Sequence, residues 1–100
     1  MYQILLSPLF EKEFAKLEKR IQERVRKILK RLETQLIGLP LTADLKGFYS
    51  VHFENNKYRL IYHVKDKTVE VLVVHVGKRT TQFYQEFKRD YAKMIRKQAS

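Results

Sequence analysis

The chain has 100 residues, no cysteine, and 21 Lys and Arg against 11 Asp and Glu, a net charge of +10. That length suits one domain, residues 1–100, with a modest core. The lack of cysteine excludes disulfide staples and thiolate metal sites, and favours a reducing, cytoplasmic setting. No apolar run approaches the roughly 20 residues of a membrane span, and the apolar start MYQILLSPLF lacks the basic flank of a signal peptide. The basic excess is spread along the chain. It points to a polyanionic partner, such as nucleic acid, ribosome or acidic protein; solubility and surface ion pairs are the plainer reading.

Tyr2–Leu6 is a short apolar run, read as a strand because Ser7-Pro8 behind it is a helix start. From there Phe10, Phe14, Leu17, Ile21, Val25, Ile28, Leu29, Leu32 and Leu36 recur in steps of three and four, until Gly38 and Pro40 end the stripe. The pattern permits one long helix or two helices turning near Leu17–Ile21, where no Gly or Pro marks a break. Arg24, Arg26, Lys27, Lys30 and Arg31 crowd its second half with no acid among them. They form either a phosphate-facing surface or a solvated helix face.

Leu39–Gly47 reads as a loop. Tyr49–Phe53 and Tyr58–Val64 are rich in aromatic and β-branched residues and flank Asn55-Asn56, residues that accept the positive φ of a two-residue hairpin turn. That turn sets Phe53 opposite Tyr58, His52 opposite Arg59, Val51 opposite Leu60 and Tyr49 opposite Tyr62. Side chains alternate across a sheet. One face is therefore apolar: Tyr49, Val51, Phe53, Tyr58, Leu60, Tyr62 and Val64. The other carries Ser50, His52, Arg59, Ile61 and His63, and is taken as the functional one. A turn at Asp66-Lys67 leads to a third strand, Thr68–Val76, in which Leu60 would meet Val73 and Arg59 would meet Val74. Arg79, beyond Gly77, then emerges at the same end as Arg59. Thr80 or Thr81 can cap a last helix with the stripe Phe83, Tyr84, Phe87, Tyr91, Met94 and Ile95.

No phosphate-binding loop, serine triad or clustered metal-ligand set is visible, and no metal or cofactor is expected. What remains is Arg59, His52, Ser50, nearby Arg79, and Tyr84 in the first turn of the last helix. Guanidinium binds phosphate in a bidentate fashion and stays charged. Imidazole moves protons near neutrality. Together with a phenol, these groups suit metal-free cleavage of an RNA phosphodiester. Each has a structural alternative: Arg59 paired with Glu70 or Asp44, and His63 and His75 packed as strand histidines.

LKG at 45–47, KYRLIYHV at 57–64 and VEVLVVHVGKR at 69–79 resemble the RelE/ParE toxin superfamily, with its "YR-x-x-Y" strand and its apolar strand ending in "GxR". The resemblance covers essentially the whole chain. It implies an α+β fold in the order β-α-α-β-β-β-α, with an antiparallel helical hairpin over residues 8–37 packed on a small, mostly antiparallel sheet, then a C-terminal helix. It also implies a toxin of a toxin–antitoxin system. The RelE branch cleaves mRNA in the ribosomal decoding site by 2′-OH attack, whereas the ParE branch poisons DNA gyrase. The implied catalytic set is Arg59, Arg79, His52 and Tyr84. Ser50 and His52 stand where the best-studied member has two lysines, and His52 could carry the proton instead. The candidate RNA- and ribosome-contacting set is Lys46, Ser50, Lys57, Lys78, Arg24, Lys27 and Arg31. The implied partners are the ribosome, mRNA and an acidic, partly disordered antitoxin that covers the basic face or displaces the last helix, with DNA met only through the antitoxin complex.

Overall fold

The computed structural model describes residues 1–65 and 69–89. Strand β1 (Gln3–Leu6) runs into helix α1 (Pro8–Ala15). The start is the one the sequence implies: Ser7 Oγ accepts from the Phe10 N–H at 3.0 Å, and Pro8 stands where no N–H is needed. The Ser7 hydroxyl also donates to the Val74 carbonyl at 3.3 Å, tying the cap to the sheet.

The apolar stripe divides into two helices, α1 and α2 (Lys19–Leu32). Lys16 and Leu17 donate to carbonyls three residues back, and Glu18 is extended. Gln22 Nε2 adds a bond to the Phe14 carbonyl at 2.9 Å. A side chain of the second helix thus closes the end of the first, which hydrophobic spacing cannot reveal. Ile21, Val25, Ile28 and Leu32 turn inward along α2.

Leu39–Gly47 is not all loop. Leu39–Pro40 pairs briefly as β2 with Ser50 and Tyr49, and a 3₁₀ turn spans Ala43–Leu45. Gly38 makes the approach possible: at its φ of +101° a Cβ would stand 2.7 Å from the Ser50 carbonyl oxygen.

Strands β3 (Phe48–Phe53), β4 (Tyr58–Val64) and β5 (Glu70–Lys78) complete a five-stranded sheet in the order β1-β5-β4-β3-β2. Only β1 and β5 run parallel. The β3–β4 register is the expected one, from Phe53–Tyr58 through His52–Arg59 to Tyr49–Tyr62. The tip is longer than a two-residue turn: Glu54, Asn55 and Asn56 all have positive φ. Glu54 leaves the ladder because Arg20 and Arg24 of α2 hold its carboxylate, Arg24 Nε at 3.3 Å.

The β4–β5 register differs from the expectation. Leu60 meets Val76, not Val73, and Arg59 meets Gly77, not Val74. Two shifts add up. Pairing begins at Val64–Val71, so the connection is longer than a two-residue turn; Asp66-Lys67 itself lies outside the described residues. A bulge between Ile61 and Tyr62 then inserts Val74 as an extra residue. The slip carries Arg79 alongside the tip, where its N–H donates to the Lys57 carbonyl at 2.7 Å.

Both faces of the sheet are covered. Val51, Leu60, Tyr62, Val71, Val73 and Val76 pack with Phe10, Val25, Ile28 and Leu32 of the helices. On the opposite face Phe48, Ile61 and Val74 pack with Phe83 and Phe87 of a third helix, α3, described over residues 83–89. The face read as functional is therefore half core, and residues 83–89 cover it away from the hairpin tip. The sequence positions Tyr91, Met94 and Ile95 lie outside the described residues.

Leu60 is fully buried in the first core. Leu60→Ala should lower unfolding free energy by about 2–5 kcal/mol in urea denaturation. The Tyr62 hydroxyl donates to the Ile37 carbonyl, and burial pushes its phenol above the ordinary range. Tyr62→Phe keeps the ring stacked on Tyr49 and should cost about 1 kcal/mol, the net worth of one hydrogen bond. An unchanged denaturation midpoint in either variant would contradict this packing.

Candidate polynucleotide site

The site begins with β4. Arg59 points to the α3 side of the sheet, toward the hairpin tip, and is only 6% exposed. Its NH1 donates to Asn56 Oδ1 at 2.7 Å and to the Asn56 carbonyl at 3.2 Å, and sits 3.4 Å from the Tyr58 carbonyl. Every acceptor is neutral. Glu70 and Asp44, the carboxylates that could have claimed it, do not; Asp44 lies 3.7 Å from Lys88 instead. Asn56 therefore serves twice, taking positive φ in the tip and orienting the guanidinium through its amide.

His52 stands across the ladder from Arg59 and is exposed. Partial desolvation, then the positive charges of Arg59 and Arg79, hold its proton affinity below the usual histidine value. The β3–β4 pairing sets His52 beside Arg59, and Arg79 comes two residues after Gly77, the β5 partner of Arg59. Arg79 is exposed, follows β5 on the same side as Arg59, and has no carboxylate partner among the described residues.

Tyr84 reaches this face from α3. Its hydroxyl is 2.8 Å from Ser50 Oγ. Ser50 itself is 1% exposed, so it supports Tyr84 from within and does not belong to the open surface. Ser50 and His52 are two residues apart on one strand face, a spacing of about 7 Å.

The other candidate residues divide into groups. Lys57 and Lys78 line a cleft of about 630 Å³ between the hairpin tip and the start of α2, with Arg20, Asn55, Asn56 and Arg79. Arg79 thus borders both the cleft and the His52–Arg59 pair. Arg24, Lys27 and Arg31 line a different groove, along β3 on the α2 side, with His52 and Val51 also in its wall. Lys46 precedes β3 and lies at the strand's far end from the tip. The cations of α2 are partly compensated: Arg20 and Arg24 by Glu54, and Arg26 by Glu23 at 3.3 Å. Arg20 and the neighbouring cations hold the Glu54 carboxyl below the usual range.

Asn56, Glu54 and Glu13 escape a reading by composition. Asn56 was legible as a turn residue, not as an arginine holder. Glu13 sits on α1 with nothing in its spacing to mark it, yet it meets His75 on β5. His63 and His75 are both packed, against Phe48 and against Phe83 with Phe87 respectively.

Helices on both faces of a five-stranded sheet, with Arg59 on β4 and Arg79 just past β5 beside the hairpin tip, match the fold expected of a RelE/ParE-like toxin. The comparisons agree. Residues 4–83 match the family described as the ParE toxin of the type II toxin–antitoxin system, parDE, and the chain belongs to that family, within the RelE/ParE superfamily. The isolated E. coli RelE toxin is similar, at 28% identity and a TM-score of 0.65, over 89% of this chain and 98% of that one. An arginine-substituted E. coli RelE in the free state reaches 30% identity and a TM-score of 0.70, over 88% and 96% of the two chains. A chain of the RelBE2 toxin–antitoxin complex of Mycobacterium tuberculosis reaches 26% and 0.68, over 78% and 91%. No curated protein sequence matches significantly. Among the described residues no helix is long and apolar enough to cross a membrane.

His52 should titrate below about 6.5 in an NMR pH series. Below that pH the unfolded chain takes up a proton that the folded site resists, so this group subtracts stability as pH falls. Arg79→Ala removes one repelling charge and should move the midpoint upward. A wild-type midpoint at or above 6.5, or no response to Arg79→Ala, would separate the three groups.

Proposed function

We propose that this toxin is a ribosome-dependent mRNA endonuclease that cleaves by metal-free 2′-OH attack. One arrangement carries the reading: Arg59 stands across the ladder from His52, Arg79 follows β5 two residues past the partner of Arg59, and neither guanidinium has a carboxylate partner among the described residues; desolvation and then these two charges lower the proton affinity of the imidazole. A neutral His52 takes the proton from the 2′-OH. The 2′-oxygen attacks the adjacent phosphorus, and the P–O5′ bond breaks. Arg59 and Arg79 stabilise the non-bridging oxygens as negative charge builds on them. Tyr84, held at Ser50, returns a proton to the leaving 5′-oxygen. The products are a 2′,3′-cyclic phosphate and a 5′-hydroxyl. Lys57 and Lys78 in the neighbouring cleft extend the basic track for the RNA backbone.

An acidic antitoxin would neutralise this surface. The E. coli RelB–RelE complex and the RelBE2 complex are solved toxin–antitoxin pairs of similar chains, which supports a partner of that kind here.

A second reading follows from the matching family itself, which is that of ParE toxins. In it the chain inhibits gyrase and leaves mRNA intact.

Programmed ribosomes separate the two readings. The wild type should cleave mRNA within the decoding site. Arg79→Ala should slow cleavage by about 10²–10³-fold with the fold intact, and His52→Ala by about 10²–10⁴-fold. Intact mRNA beside an active control toxin, with inhibition of gyrase supercoiling, would establish the second reading instead.

A further inference from the structure

Glu13 of α1 and His75 of β5 form a partly buried polar contact between helix and sheet. His75 is 6% exposed on β5, within the bulge that Val74 creates. Its Nδ1 lies 2.7 Å from Glu13 Oε2 and 2.9 Å from Oε1. The same Oε1 accepts the Val76 N–H at 3.1 Å. One carboxylate of α1 therefore satisfies both the imidazole and a backbone donor next to the bulge. On its other side the imidazole stacks against α3, 4.3 Å from the Phe83 ring at 29° and 5.6 Å from the Phe87 ring at 17°. Its Nε2 is buried with no hydrogen-bond partner among the described residues.

These contacts form a chain with two ends. Toward the strand, the bulge sets the register that carries Gly77 opposite Arg59 and brings Arg79 beside Lys57. Toward the helix, Phe83 and Phe87 are one turn apart and share the face that meets His75, while Tyr84 between them reaches Ser50. Neither Glu13 nor His75 touches the groups assigned to catalysis.

We propose that Glu13 and His75 are a positioning pair: a clamp running from α1 through the β5 bulge to α3 that seats Arg79 and Tyr84 together. The consequence for cleavage rests on the function proposed above; the clamp itself does not. Its chemistry is specific. Glu13 accepts, so Nδ1 carries the proton.

Amide hydrogen exchange on the full chain tests the clamp. In Glu13→Ala, exchange should quicken at least tenfold at Val76 and along residues 83–89, while Leu60 and Tyr62 in β4 keep their protection. Glu13→Gln retains an acceptor oxygen and should stay within threefold of the wild type. Equal acceleration in α3 and β4 would show a general stability effect and overturn the proposal, as would no acceleration in α3. Long-range ¹H–¹⁵N spectra of the wild type test it without a variant: a proton on Nδ1 is expected, and an unprotonated Nδ1 overturns the clamp even if Glu13→Ala does not fold. With ribosomes, Glu13→Ala should lower kcat at least tenfold with KM within twofold, because it misplaces reacting groups without removing a binding charge. If the wild type cleaves nothing, the proposed function fails while exchange and spectra still decide the clamp.

Discussion

The pairing of β3 with β4 about the Phe53–Tyr58 pair is the constraint on which the molecule depends. With side chains alternating, this register sends Val51, Leu60 and Tyr62 under α1 and α2 and sends Ser50, His52, Arg59 and Ile61 to the other side. A slip of one residue would bury a guanidinium among aliphatic side chains and expose the core. The tip is secured accordingly, by Arg20 and Arg24 on Glu54 and by Asn56 on Arg59.

Charge compensation then divides a uniformly basic chain into regions with different roles. Glu54, Glu23 and Asp44 meet cations of α2 and α3. The pairs at Glu23 and Asp44 are exposed and add little stability, and their effect is to place side chains. Arg59 is treated differently: it is buried among neutral amide and carbonyl oxygens, so its charge is oriented but not cancelled. Partial desolvation, and then the charges of Arg59 and Arg79, favour the neutral form of His52. A carboxylate at Asn56 would satisfy the same hydrogen bond and quench that field.

The face shared by Ser50, His52 and Arg59 serves two purposes. Near β2 it is core, where α3 lays Phe83 and Phe87 over Ile61 and Val74. Near the tip it carries His52 and Arg59. Tyr84 stands at the boundary, its hydroxyl on buried Ser50. The packing that buries the sheet and the placement of the phenol are thus one arrangement.

Much of this was readable in advance because it depends on contacts near in sequence. Ser7-Pro8, the Asn55-Asn56 turn, the β3–β4 register and the two sheet faces follow from local propensity and alternation. That His52 faces Arg59 follows from the turn, and the toxin superfamily from the "YR-x-x-Y" and "GxR" runs; the distance of Arg79 from that pair depends on the β4–β5 register, which the sequence did not give correctly. What the sequence could not determine lies in contacts between distant segments. The β4–β5 register turns on a bulge whose Val76 N–H is satisfied by Glu13, 63 residues away. The helix break draws on a Gln22 side chain, and the burial of Ser50 on the docking of α3. Periodicity records which face a residue prefers; only the packed chain decides which distant group satisfies each buried donor and acceptor.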